Sequence, residues 1–372
     1  MNQHVVGAAT LVGAVIMPST NGAKLAATAA VSAVAAAAAY WIYRRRSRSK
    51  PDGNLVLRSA YQPSQYQIET VGLNFILTEE EAVVESMLKF TYVGGATSKP
   101  PPLYLDGEEL KLRFIAMNGV ILVEGRDYVL GAEEGLTLLA PPATGFRLEM
   151  KVAIKPQDNT QLSGLYKTSG NYCTQCEAVG FRRITYFLDR PDVMSTYTVR
   201  VEADKALYPV LLSNGNETAR GELAGGRHWA SFADPFKKPA YLFALVAANL
   251  KMIEGSFTTC SGRKVRINIW SEPENVDQLD WAMQSLKDAM AWDERVFGRE
   301  YDLDVYHIVA VNDFNMGAME NKVLPHAPAR TYLSTSGSPP HWAGAHCQVE
   351  SLADPFPQFL ARQGLNVRNT ND

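Results

Sequence analysis

Few residues in this chain have both the type and the setting for chemistry. Glu320 is the first. It ends the run Val311-Asn-Asp-Phe-Asn-Met-Gly-Ala-Met-Glu320, where a buried-looking strand, Tyr306–Val311, breaks into a glycine-containing turn. A carboxylate presented there could pair with a cation or move a proton, although most lone carboxylates after a strand are solvated or structural. The second place is Cys173-Thr-Gln-Cys176-Glu177. A structural zinc site needs two such cysteine pairs, and Cys260 and Cys347 stand alone. A redox pair needs a helix N-terminus, whereas this segment reads as extended. Its polar neighbours Gln175 and Glu177 are the better candidates. Metal-activated water calls for His-Glu-x-x-His, which sets two imidazoles one helical turn apart, plus a third ligand. The histidines are His4, His228, His307, His326, His341 and His346, and none forms that pattern. His341 and His346 fall on different helical faces with no glutamate between them, and His307 sits in a strand as a core residue. The chain shows no phosphate-binding glycine loop, nucleophile elbow, internal repeat or basic–aromatic patch.

The elements that must hold these residues are mostly strands. From Leu55 to about Asn249, short apolar stretches alternate with glycine and proline turns: Leu103–Leu105, Gly119–Val123, Leu136–Leu139, Arg147–Ile154, Thr196–Glu202 and Tyr241–Ala247. Such spacing predicts a β-sandwich-like domain. Asp106-Gly107, following Leu105, predicts a hairpin. After Leu250 the pattern changes to strand (Lys264–Trp270), amphipathic helix (Val276–Phe297, with Leu279, Met283, Leu286 and Met290 on one face) and strand (Asp304–Val311). Val323–Asp372 is rich in proline and poor in periodicity, which predicts loop or disorder. The expected organisation is a leader and linker at 1–54, a β domain at 55–249, the start of an α/β domain at 250–322 and a tail at 323–372.

Charge and composition narrow the function classes. The net charge is -3, and 46% of residues are hydrophobic. That balance argues against a nucleic-acid partner and permits a sizeable core. Residues 1–50 hold six cations, Lys24, Arg44, Arg45, Arg46, Arg48 and Lys50, and no acid. The rest carries 30 basic against 39 acidic residues, a net charge of -9. Four cysteines make no disulfide framework. In the leader, Leu25–Tyr43 runs 19 residues without a charge and ends in Tyr40, Trp41 and Tyr43, just before Arg44-Arg-Arg46. One expectation is a single membrane-spanning helix over 25–43, with the following domains on the cytoplasmic side. The other is an organelle-targeting leader that is later removed.

Gly317-Ala318-Met319-Glu320-Asn321 resembles the GAMEN exopeptidase motif of the M1 zinc aminopeptidases, the aminopeptidase N family. The likeness extends to the runs Tyr172–Asp192 (beginning Tyr-Cys-Thr-Gln-Cys-Glu-Ala-Val-Gly-Phe), Tyr208-Pro-Val-Leu-Leu-Ser-Asn-Gly-Asn216, Gly221-Glu-Leu-Ala-Gly-Gly-Arg-His-Trp229 and Asp234-Pro-Phe-Lys-Lys-Pro-Ala-Tyr-Leu-Phe-Ala-Leu-Val-Ala247. It covers about Leu55 to Lys322, in the wording of the bacterial branch. The resemblance implies a mainly β chain: a saddle-like N-terminal β domain, followed by the incomplete α/β start of a thermolysin-like catalytic domain. It implies a zinc metallo-aminopeptidase acting on peptides with a free N-terminus. Glu320 and Glu177 would hold the substrate ammonium, with Gln175 as an added acceptor. Gly317 and Ala318 would pair with the substrate backbone, Met316 would form the flexible apolar wall of the first side-chain pocket, with plain core packing as the alternative, and Met319 would belong to the same substrate-binding run. The family's zinc ligands have no counterpart here. The expected reading is therefore a front part, truncated after the motif by a shifted frame, a retained intron or an alternative exon, and inactive alone. The alternative is a membrane-tethered, non-catalytic domain that binds peptide N-termini; a weaker one is a fragment that does not fold past Asn249.

Overall fold

Along Tyr66–Leu77 and Ala82–Tyr92 buried residues alternate with more exposed ones, the signature of strands with one wet face. The structure is a computed structural model that describes residues 58–94, 100–131, 135–312, 314 and 318–328. The chain divides into two units, 1–62 and 63–372. In the first, Arg58–Ala60 forms a single 3-10 turn. Everything below belongs to the second.

Eight strands build the largest sheet: β1 (Tyr66–Leu77), β2 (Ala82–Tyr92), β4 (Lys111–Met117), β5 (Val120–Ile121), β8 (Phe146–Ile154), β11 (Ser195–Asp204), β13 (Asn216–Glu222) and β14 (Arg227–Lys238). Their order is β13-β14-β11-β1-β2-β8-β4-β5. All neighbours are antiparallel except β1 and β11, which run parallel. Two smaller sheets supply residues to the same core. One is β3-β7-β6, from β3 (Leu103–Leu105), β6 (Tyr128–Leu130) and β7 (Leu136–Leu138). The other is β12-β15-β10-β9, from β9 (Gly164–Thr168), β10 (Asn171–Gln175), β12 (Val210–Ser213) and β15 (Leu245–Ala248). A large apolar cluster joins Phe75, Phe90 and Leu148 of the large sheet to Leu105, Leu138, Tyr172 and Leu245 of the small ones.

The β12-β15-β10-β9 sheet is apolar on both faces. Tyr172, Leu245 and Ala247 belong to the large cluster, whereas Cys173, Val246 and Ala248 belong to a second one. That is why Tyr241–Ala248 reads as an unbroken apolar run rather than an alternating one. The second cluster also takes members from the next segment: Val309, Val311, Phe314, Met319 and Leu324. This segment is the sheet β16-β17-β18-β19, from β16 (Lys251–Thr258), β17 (Lys264–Ser271), β18 (Val305–Val311) and β19 (His326–Pro328). Its strands β17, β18 and β19 are parallel. Helix α1 (Asp280–Phe297) buries Ala282, Met283, Leu286 and Met290 with Ile267, Ile269 and Ile308 in a third cluster. It ends on Gly298 in the left-handed region, φ 62, the usual C-terminal stop.

The mainly β architecture, with an α/β start after it, is as the sequence implies. Three details differ. The predicted helix over Val276–Phe297 is a 3-10 helix, Pro273–Gln278, followed by α1. Tyr241 lies in a 3-10 turn, Ala240–Leu242, and the strand begins at Leu245. Asp106-Gly107 makes no hairpin: β3 pairs with β7, while Asp106 bridges Phe187 through backbone bonds of 2.8 and 3.0 Å. Asp106 also faces Arg182 and accepts the Asp189 N–H, so a tertiary contact replaces the local turn.

The membrane placement is corrected. Among the described residues no helix is long and apolar enough to cross a membrane. The 25–43 segment expected to do so lies outside the described residues, and alanine makes up more than half of it. Alanine buries little apolar area and contributes little transfer free energy. Of the expected coil from Val323 onward, 323–328 form a turn and β19, and 329–372 lie outside the described residues.

Candidate functional site

Gln175 is the last residue of β10, a strand bonded on both sides, to β9 and β15. Every residue of β10 is buried, Gln175 to 2% exposure. Strand alternation places Gln175 on the same side as Cys173, which packs in the second cluster. The chain then turns through Glu177, which is half-buried and joined to Ala178 by a cis peptide. Gly180 donates its N–H to the Cys176 carbonyl at 2.8 Å and closes the turn. A Cβ on Gly180 would lie 2.7 Å from the Gln175 carbonyl and 2.9 Å from the Gly164 nitrogen, so only glycine fits there. Cys173 and Cys176 are buried and unpaired with each other. Burial pushes the Cys173 thiol up to about 12 and the Cys176 thiol well above its ordinary value. Both stay protonated, which suits neither a metal ligand nor a redox nucleophile.

The second segment leaves β18, whose seven residues are all buried. At its exit Asn312 donates its N–H to Glu272 Oε1 at 3.1 Å. Met316 and Gly317 lie outside the described residues. Ala318 is half-buried, Met319 is 2% exposed in the second cluster and Glu320 is exposed. Met319 exchanges two backbone bonds with His326, of 2.8 and 2.9 Å. Asn321 Nδ2 donates to His326 Nδ1 at 3.0 Å, and the Leu324 N–H reaches the Asn321 carbonyl at 3.2 Å. Val323 is held at φ 72, a left-handed position a β-branched residue rarely takes. Its burial in the third cluster compensates. Met319 and Cys173 thus anchor the two carboxylate-bearing turns in one apolar cluster.

Polar contacts tie the Glu320 turn to the β domain. Asn214 Nδ2 donates to the Lys322 carbonyl at 2.7 Å. The Lys322 ammonium lies 3.2 Å from Asp302, 3.9 Å from Asp234 and 3.9 Å over the Phe236 ring. Asp234 is fully buried beside Lys238, also fully buried, at 3.2 Å. Burial pulls Lys238 down to about 8, against the pull of Asp234, with Lys322 adding to the depression. Asn214 and Asp234 fall within runs that carry the family resemblance, but neither they nor Glu272 showed a role in the sequence, because their partners are set by tertiary contact rather than by any local pattern.

Among the described residues no group of three histidine, cysteine or carboxylate side chains could hold a metal. His307 is a core residue: its Nδ1 accepts from Trp270 Nε1 at 3.0 Å, and burial, helped by Arg266, lowers it to about 3. A groove of about 770 Å³ lies on the large sheet between Asn74, Met87, Phe114 and Arg200. None of the expected site residues lines it, and two of its charges, Glu85 and Lys151, neutralise each other at 2.7 Å.

Comparison with known proteins identifies the family and the fold. Residues 105–242 match the peptidase M1 N-terminal domain, and residues 281–337 match the peptidase family M1 domain. The chain is 51% identical over 264 residues to aminopeptidase N of Caulobacter vibrioides, covering 71% of this chain and 30% of that protein. It is 46% identical over 267 residues to aminopeptidase N of Escherichia coli, covering 72% and 30%. The solved structure of Legionella pneumophila aminopeptidase A in complex with aspartic acid superposes with a TM-score of 0.71 at 34% identity, covering 74% of this chain and 32% of that one. The chain therefore spans just under a third of the length of these three relatives.

Proposed function

This chain belongs to the M1 peptidase family, of which it carries the N-terminal portion, and from that premise we propose that it forms the amine-recognition half of a metallo-aminopeptidase. Its substrates are peptides with a free N-terminus. Glu177 and Glu320 pair with the terminal ammonium, and Gln175 adds a carbonyl acceptor. Gly317 and Ala318 bind the peptide backbone as an added strand, and Met316 walls the first side-chain pocket. The observation that carries the reading is the shared cluster: Cys173, on the strand of Gln175, and Met319, beside Glu320, pack in one core. Two carboxylates around one ammonium select against a blocked terminus, because an acylated amine leaves them desolvated and unpaired.

M1 aminopeptidases are zinc enzymes, but the residues present do not fit that ion. The sequence has no His-Glu-x-x-His, and the described residues hold no three-ligand cluster. The chain's own chemistry is recognition, and no water-activating step is assigned to it.

Calorimetry with an alanine-led peptide and its N-acetyl counterpart tests recognition. The free peptide is expected to bind at least ~10-fold more tightly, and E320Q to remove most of that preference. Equal binding of the two peptides by the natural chain would sink the reading. The pure chain is also expected to release no aminoacyl reporter with zinc added. Turnover abolished by a chelator would show that a metal site had been missed.

A further inference from the structure

We propose that Asn214 is a positioning residue for Glu320, holding the amine-binding turn in register with the strand that ends in Gln175; this deepens the amine-recognition reading and rests on it. Asn214 is 1% exposed, and its amide has one permitted orientation. Oδ1 accepts the Ala244 N–H at 2.7 Å, a group that can only donate. Nδ2 therefore faces the two carbonyls, Leu242 at 3.1 Å and Lys322 at 2.7 Å. The first two bonds fasten the side chain to the segment entering β15, and the third reaches across 108 residues to the turn after Glu320.

The backbone beneath Asn214 is equally fixed. Ser213 Oγ donates to the Ala244 carbonyl at 2.8 Å. Gly215 stands at φ 89, where a Cβ would come 2.2 Å from the Ala233 carbonyl, so the turn is pressed against β14. β12, which ends at Ser213, pairs with β15, and β15 pairs with β10. One hydrogen-bonded frame thus runs from Gln175 through β10, β15 and Asn214 to the carbonyl two residues beyond Glu320. Apolar packing of Met319 sets the depth of the turn but not its rotation. A directional bond at Lys322 supplies that rotation, while the Lys322 ammonium is steadied separately by Asp302, Asp234 and Phe236.

The test separates positioning from plain stability. N214D keeps the acceptor for Ala244 and loses both donors. S213A removes a buried bond at the same sheet end without touching Lys322. Hydrogen exchange is followed at the Met319 and His326 amides, which bond to each other's backbone, and at β1–β2 amides as a global reference. N214D is expected to speed exchange at Met319 and His326 by ~10-fold beyond any change in β1–β2. It is also expected to weaken the free-amine peptide ~10-fold while leaving the acetylated peptide unchanged. S213A should do neither. Uniform acceleration by N214D, unchanged Met319 and His326 amides, or the same local pattern in S213A would each overturn the proposal. Should N214D fail to fold, N214S, which also gives up the bond to Ala244, is read by whether exchange at Met319 and His326 outruns that at both Ala244 and β1–β2. If the natural chain does not distinguish the two peptides, the amine reading falls, and the exchange result still judges the clamp.

Discussion

Asp234→Asn is expected to destabilise the chain by about 3–5 kcal/mol at pH 7, the cost of leaving a buried charge without its partner. Asp234 faces two ammonium groups, Lys238 at 3.2 Å and Lys322 at 3.9 Å. Without it the two cations repel each other in a buried site. Lys238→Met is expected to cost much less. It leaves Asp234 with Lys322 and the Phe236 N–H, and gives up mainly the ammonium's place 3.8 Å over the Tyr197 ring. The double variant D234N/K238M should recover most of the single loss, since no unpaired cation then remains beside Lys322. Urea midpoints of the three variants decide the matter. A K238M loss as large as that of D234N would show that Lys238, not Asp234, organises the site.

The second large effect is a loss of stability in mild acid. His307 and His326 are lowered from 6.5 to about 3 and about 4, chiefly by burial. Between those values and 6.5 the unfolded chain binds protons that the folded chain refuses. Their contribution is complete above pH 6.5 and is lost as pH falls toward 4. Asp189 acts in the opposite sense. Burial raises it from 3.8 to about 6 despite its bonds to Arg182, so the folded chain holds a proton there that the unfolded chain has released. Near pH 5.5 two histidines against one aspartate leave about one net proton, a slope of about 1.4 kcal/mol per pH unit. Removing one histidine, as in H326L, should flatten the profile between pH 5 and 6. Urea midpoints at pH 5, 6 and 7 measure both slopes. A natural chain equally stable from pH 7 to 5 would mean that these imidazoles meet solvent.

Local pattern carried much of the fold. Lys264–Ser271 and Val305–Val311 are strands within a residue of their predicted bounds, because periodicity and β-branched content agree there. Asp106-Gly107 misled because its partners, Arg182 and Phe187, lie far along the chain. The carboxylates of the proposed site were legible through family resemblance rather than through spacing. Glu177 and Glu320 are separated by 143 residues, and what relates the two is tertiary: the apolar cluster beneath them and the Asn214 bond to the Lys322 carbonyl. Asn214 and Glu272 were illegible for a similar reason. A buried asparagine or glutamate looks like any turn residue until the carbonyl or N–H it serves is known.

The two-faced β12-β15-β10-β9 sheet has a consequence for synthesis. Domains fold from the N-terminus as the chain emerges, yet this sheet cannot be covered on both sides by residues before 250. Val246, Ala248 and Cys173 must wait for Val309, Val311 and Met319. A nascent chain paused before β18 therefore carries a sticky, half-dressed sheet, the kind of surface that chaperones hold and proteases find. The stretch between the two matched family segments, 105–242 and 281–337, is no place where translation can safely stall.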